Sequence, residues 1–102
     1  MLYFIKQDKC LKAINIKDIC LIESQGDYVK INMVTGNYVI HSTMKDILDK
    51  LPPKDFYRIH NSYIVRCDKI TSIEGNCVTV NKRVIPVSQN NIADFKNTLT
   101  IL

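Results

Sequence analysis

Short runs of β-branched and aromatic residues, spaced closely and broken by turn residues, constrain this chain most. Leu2–Lys6, Cys10–Ile16, Asp18–Glu23, a Tyr28-Val29-Lys30-Ile31-Asn32-Met33 run and Asn37–Ile40 follow one another in the first forty residues. Val34-Thr35-Gly36-Asn37 reads as a hairpin turn between the last two, because glycine and asparagine tolerate turn conformations. Lys69–Ile73, Cys77–Val80 and Val84–Val87 repeat the pattern near the end, around the turns Glu74-Gly75-Asn76 and Asn81-Lys82-Arg83. Helical spacing occurs twice. Met44, Ile47, Leu48 and Leu51 follow a Ser42 or Thr43 cap and stop at Pro52-Pro53. Ile92, Phe95 and Leu99 follow an Asn90 or Asn91 cap. No βαβ alternation, linker or repeat is present. The expected fold is mostly β, with elongated antiparallel sheets and one or two short helices.

The chain has 102 residues, with 46% hydrophobic and 24% charged, which fits one globular domain over residues 1–102. No run approaches about 20 uninterrupted apolar residues, and the N-terminus has no secretory pattern, so a cytoplasmic location is expected. The formal net charge is +4. In residues 1–50, seven Lys/Arg meet six Asp/Glu; in the remainder seven meet four. That permits a polyanionic partner without demanding one. Cys10, Cys20, Cys67 and Cys77 show no zinc spacing and read as reduced thiols, with Cys20 and Cys77 in the core and Cys10 and Cys67 exposed. The only histidines are His41 and His60, and no nucleophile elbow, phosphate loop or metalloprotease motif occurs. No enzyme, cofactor or metal site is expected.

One stretch has more polar chemistry than a core strand needs. Phe56-Tyr57-Arg58-Ile59-His60-Asn61-Ser62-Tyr63-Ile64-Val65 sets arginine, histidine, asparagine and serine among apolar residues. Arginine can fork onto guanine or phosphate, asparagine can pair with an adenine edge, and serine can donate to phosphate. The stretch resembles the signature of the LytTR family of bacterial DNA-binding domains, through Phe56, Arg58, His60, Ser62, Ile64 and Val65. Two further segments carry the resemblance. Asp18-Ile19-Cys20-Leu21-Ile22-Glu23-Ser24-Gln25-Gly26-Asp27-Tyr28-Val29 is similar to the family's early segment. Ile85-Pro86-Val87-Ser88, followed by a polar run and Phe95, is similar to its closing segment.

The resemblance implies double-stranded DNA as partner, met by loops in successive major grooves rather than by a recognition helix. It also implies a transcription regulator, or the output domain of a two-component response regulator. Three places match the family's loops. In the first, Gln25 can read adenine beside Gly26 and Asp27. In the second, Asn61 has the best chemistry for adenine, with Ser62 beside it. His60 there either contacts DNA or holds the loop by hydrogen bonding. Arg58 either faces DNA or is a buried structural ion-pair partner. The third is Ser88-Gln89-Asn90-Asn91. Gln89 stands where family members often carry a basic residue, and it favours adenine over guanine. Asn90 and Asn91 are phosphate donors or helix caps. Arg66 also departs from the family pattern, and either alters its turn or adds a phosphate contact. Lys69, Lys82 and Arg83 are further phosphate candidates. The mild charge suggests a monomer that pairs on promoter direct repeats. The competing reading is a β-rich protein-interaction module that uses exposed Tyr38, Tyr57 and Tyr63.

Overall fold

Four consecutive buried residues, Ile19-Cys20-Leu21-Ile22, set the architecture, because a strand apolar on both faces must be covered on both. The computed structural model describes residues 2–102. β1 (Tyr3–Gln7) and β2 (Cys10–Ile14) form an antiparallel hairpin. β3 (Ile19–Gln25), β4 (Tyr28–Met33) and β5 (Gly36–His41) follow, then α1 (Met44–Asp49), β6 (Phe56–His60) and β7 (Tyr63–Arg66). These five strands make one antiparallel sheet in the order β5-β4-β3-β7-β6. β8 (Ile70–Glu74), β9 (Cys77–Val80) and β10 (Arg83–Pro86) form a three-stranded sheet, and α2 (Gln89–Asn97) comes last. The molecule is elongated, 45 × 26 × 24 Å. The mostly β, antiparallel fold expected from the sequence is the one observed. No helix among the described residues is long and apolar enough to cross a membrane.

Two cores lie on opposite faces of the five-stranded sheet. On one, Ile22, Val29, Ile31 and Ile64 pack with Met44, Ile47 and Leu51 around α1, and with Ile5 of the hairpin. On the other, Leu21, Val65 and Ile59 pack with Val78, Val80 and Ile85 of the second sheet and with Phe95 of α2. A β-bulge between Ile19 and Leu21 directs both Cys20 and Leu21 to the second core while Ile19 and Ile22 stay in the first. α1 is capped as the sequence predicts, with Thr43 Oγ1 accepting from the Asp46 amide at 3.1 Å.

Several side chains lie elsewhere than the sequence suggests. α2 starts at Gln89 behind Ser88, so neither Asn90 nor Asn91 is its cap. Arg66 is buried. Its Nε donates to Asp68 at 2.8 Å, its Nη1 to the Ile16 carbonyl at 3.2 Å, and its guanidinium lies 5.3 Å from the Phe56 ring centre. It staples the segment before β3 to the end of β7 and is withdrawn from any phosphate. Cys20 is buried and Cys10 exposed, as expected, but Cys67 and Cys77 are both half-buried, and all four are free thiols. Burial pushes the Cys67 thiol above its ordinary value, which disfavours the nucleophilic thiolate. Tyr38, Tyr57 and Tyr63 are half-buried, not exposed. Tyr57 packs on Phe95 at 5.1 Å between ring centres, and Lys12 lies 4.9 Å from the Tyr38 ring centre. The aromatic surface that a protein-interaction module would use is therefore largely spent on packing.

The two sheets are joined by a bidentate ion pair. Arg83 Nη1 and Nη2 reach Glu23 Oε1 and Oε2 at 3.0 and 3.2 Å. The buried Asn32 amide donates to the same Oε1 at 3.1 Å and to the Leu21 carbonyl at 3.3 Å. Arg83, a phosphate candidate by sequence, is thus committed to the fold. Its guanidinium holds the Glu23 carboxyl below its ordinary value of 4.5, against the upward push of burial and with help from Asn32. A carboxylate depressed in the folded state stabilises above its unfolded pKa and loses that contribution as pH falls through the folded one. Arg83 is nearly half exposed, so solvent screens the pair. Glu23→Gln should lower stability at pH 7 by about 1 kcal/mol. The deficit should shrink towards zero at a pH acid enough to protonate the wild-type carboxylate itself, below the ordinary carboxylate range. Denaturant titrations of both forms at the two pH values check this.

Candidate nucleic-acid interface

Antiparallel pairing brings three connections to one end of the five-stranded sheet. The β3–β4 turn, Gly26-Asp27, follows Gln25, which pairs with Tyr28. The β6–β7 turn, Asn61-Ser62, lies beside it because Glu23 pairs with Tyr63. The Ser24 amide donates to the Ser62 carbonyl at 3.0 Å and ties the two turns together. β5 ends at the same place, since Tyr28 pairs with His41. The start of α2 is fixed to the far strand. The Ser88 amide donates to the Ile59 carbonyl at 2.8 Å, and the Asn91 side-chain amide to the Arg58 carbonyl at 3.4 Å. Across this end the order is therefore β3–β4 turn, β6–β7 turn, first turn of α2.

The signature residues build the middle turn. His60 Nδ1 accepts from the Ser62 amide at 3.0 Å, and its ring lies 5.5 Å from that of Tyr63. The hydrogen bond that the loop-holding reading requires is present. Arg58 is neither freely exposed nor a buried ion-pair partner. Its Nη2 donates to the Asn61 carbonyl at 2.7 Å, while its buried Nε has no partner. Ser62 is half-buried, and its backbone is used on both sides, as donor to His60 and acceptor from Ser24. These contacts pin the backbone on either side of Asn61, whose side chain is exposed. Gln25 is also exposed. Gly26 has φ +62°, which glycine adopts without strain, and a Cβ there would meet nothing within 4 Å.

The third expected loop is the opening of a helix. Ser88 is the N-cap but makes no side-chain cap bond, and Gln89 and Asn90 are exposed in the first turn of α2. Asn91, bonded to Arg58, is a strut. Helix start and exposed amides together suit a phosphate oxygen better than a loop would, through free N–H groups and the helix dipole.

Three residues escaped the sequence reading. A polar groove of about 680 Å³ runs between the two turns and the β5–α1 junction, where His41, Lys45 and Lys50 line it together with Ser24, Asp27, Arg58 and Asn61. The His41 ring meets the Tyr28 ring edge-on at 5.3 Å and 71°. No local motif marks these positions. His41 joins the site only through its register with Tyr28, and the lysines only through the docking of α1.

Mostly β scaffolds are one known class of nucleic-acid reader, beside those built on a recognition helix. Residues 9–100 match the LytTr DNA-binding domain, and the chain belongs to that family. It is therefore a DNA-binding domain, as the signature implied. It is 28% identical over 100 residues to the sensory transduction protein LytT of Bacillus anthracis, covering 92% of this chain and 41% of that protein. It is 25% identical over 100 residues to the transcriptional regulatory protein YpdB of Escherichia coli O6:H1 (strain CFT073), covering 91% and 41%. The chain thus spans about two fifths of the length of these relatives. The solved LytTr DNA-binding domain of a Bacillus cereus response regulator superposes with a TM-score of 0.83 at 18% identity, covering 98% of this chain and 97% of that one, a likeness of fold.

The middle turn generates a direct test. His60→Ala removes the acceptor for the Ser62 amide, at an expected cost of about 1 kcal/mol. Hydrogen exchange at Ser62 should accelerate well beyond that at core amides such as Ile64. Amide-resolved exchange by NMR measures it; unchanged protection at Ser62 would mean that the His60 bond does not hold the turn.

Proposed function

We propose that this domain reads double-stranded DNA sequence-specifically, with the row Gln25, Asn61 and Gln89 presented to successive major grooves along one face of the duplex. The observation that carries the reading is the row itself: three exposed amide side chains, each on a backbone fixed by hydrogen bonds, at one end of one sheet. The roughly 12 Å width of the major groove admits such turns. In this reading Asn61 pairs with an adenine edge, Arg58, His60 and Ser62 hold it in place, and Gln25 and Gln89 read flanking positions. Ser88, Asn90 and the free amides of α2 meet phosphate, as do Lys45, Lys50 and His41 from the groove. Asp27 and Asp46 lie among these cations and limit the non-specific attraction.

Residues 1–102 act as one unit in this proposal, whose biological role is transcription regulation in the cytoplasm. The support is the naming of the relatives, which include a sensory transduction protein and a transcriptional regulator. An output role in a response regulator fits a chain that spans two fifths of such proteins.

Selection of duplexes from a random pool, followed by salt titration, tests the reading. One short sequence should be enriched, and affinity should fall steeply with salt. Asn61→Ala should weaken that duplex by about 1–3 kcal/mol and relax preference at one base pair. Gln89→Arg should either steepen the salt slope by roughly 0.9, if the new charge meets phosphate, or shift one preference from A·T to G·C. An unchanged salt slope together with an unchanged base preference would remove position 89 from the interface.

A net charge of +4 and a short row of contacts point to modest affinity per domain. The domain should sediment as a monomer alone and bind tightly only where two sites lie about one or two helical turns, roughly 34 or 68 Å, apart. A tight dimer without DNA, or equal affinity for single and paired sites, would contradict this.

A further inference from the structure

We propose that the cleft between the N-terminal hairpin and the main sheet is a binding site for an amphipathic monoanion, an unbranched hydrocarbon chain ending in a carboxylate. The cleft has a volume of about 560 Å³, within the roughly 300–1,000 Å³ of small-molecule sites. Its floor is isoleucine: Ile5, Ile31 and Ile47 are buried there and offer methyl groups only. Its rim is cationic and wet, with Lys6, Lys50 and His41 exposed. Asp8 is the one acidic residue lining it, and the two lysines outnumber it.

The cleft exists because of how the hairpin is attached. Among the described residues, β1 and β2 pair as strands only with each other, as a separate two-stranded sheet. The hairpin therefore covers the first core through side chains, chiefly Ile5, and not through a shared backbone ladder. That leaves an apolar slot with an open mouth. A hydrocarbon chain gains by leaving water for such walls, and the isoleucine floor gives a polar body nothing to bond. At the mouth, Lys6 and Lys50 favour an anionic head over a neutral one, and their exposure keeps that preference small. His41 and Lys50 also border the polar groove, but the inference rests on the cleft alone and stands or falls independently of DNA binding.

Sodium decanoate, titrated into the full chain labelled at isoleucine δ1-methyls, is the probe. Saturable shifts are expected at Ile5, Ile31, Ile40 and Ile47, with Ile59 and Ile85 of the opposite core unmoved. Decanol should bind the same methyls about threefold more weakly. The double variant Lys6→Gln/Lys50→Gln should remove that difference while keeping the isoleucine shifts; both positions are surface ones, so the variant should fold. No saturable shift, or equal shifts in both cores, would overturn the site. Equal affinity of decanoate and decanol for the unmodified chain would overturn the anionic head.

Discussion

Burial of β3 on both faces is the constraint on which the structure depends. A strand covered on one side would need only one layer, and this one requires two. α1 and the N-terminal hairpin supply the first; the three-stranded sheet and α2 supply the second. The bulge at Ile19–Leu21 sorts the strand's side chains between them. The cost of that arrangement is a polar side chain, Glu23, emerging at the edge of the second core. Arg83 and Asn32 satisfy it, and the same contacts lock the two sheets in register. The most apolar segment of the chain thus also specifies where its principal inter-sheet ion pair must form.

The division of labour at the sheet end follows from hydrogen-bond accounting. A side chain that bonds to the protein backbone is not free to bond to a base. Arg58 Nη2 and His60 Nδ1 are committed to the turn, Ser62 is held through its backbone, and Asn61 is left with its amide exposed. Holding one short reader in place reduces the entropy it would lose on binding. Four polar residues in ten are therefore more than a binding site alone requires. Arg58 and His60 brace the turn that exposes Asn61.

The charge distribution fits the same logic. At +4 the domain has no large positive field, and one candidate cation, Arg83, is neutralised within the fold while another, Arg66, is buried. The cations that remain near the row, Lys45, Lys50 and His41, come from the β5–α1 junction. Phosphate contacts supply affinity without sequence information, whereas amide side chains supply information at little charge. The proposed row of Gln25, Asn61 and Gln89 would lean towards the second.

The sequence by itself determined the strands, because β-branched runs and turn residues are local signals, and it determined the family, because the signature residues are contiguous. It also marked Asn61 as the candidate for a base contact, and the structure exposes that side chain. It left His60 and Arg58 open between two roles, since one-dimensional spacing does not say whether a nearby backbone amide or carbonyl will claim a side chain. The tertiary structure shows the bonds they make, His60 to the Ser62 amide and Arg58 to the Asn61 carbonyl. It buried Arg66 against Ile16, fifty residues away, and paired Arg83 with Glu23, sixty residues away. It turned the third expected loop into the first turn of α2, because the docking of Ser88 and Asn91 on β6 extends the helix back beyond its apolar face. And it brought His41, Lys45 and Lys50 to the groove beside the two turns through strand register and helix docking. Local chemistry fixes which element a residue joins; only the packing of elements decides which distant groups it meets.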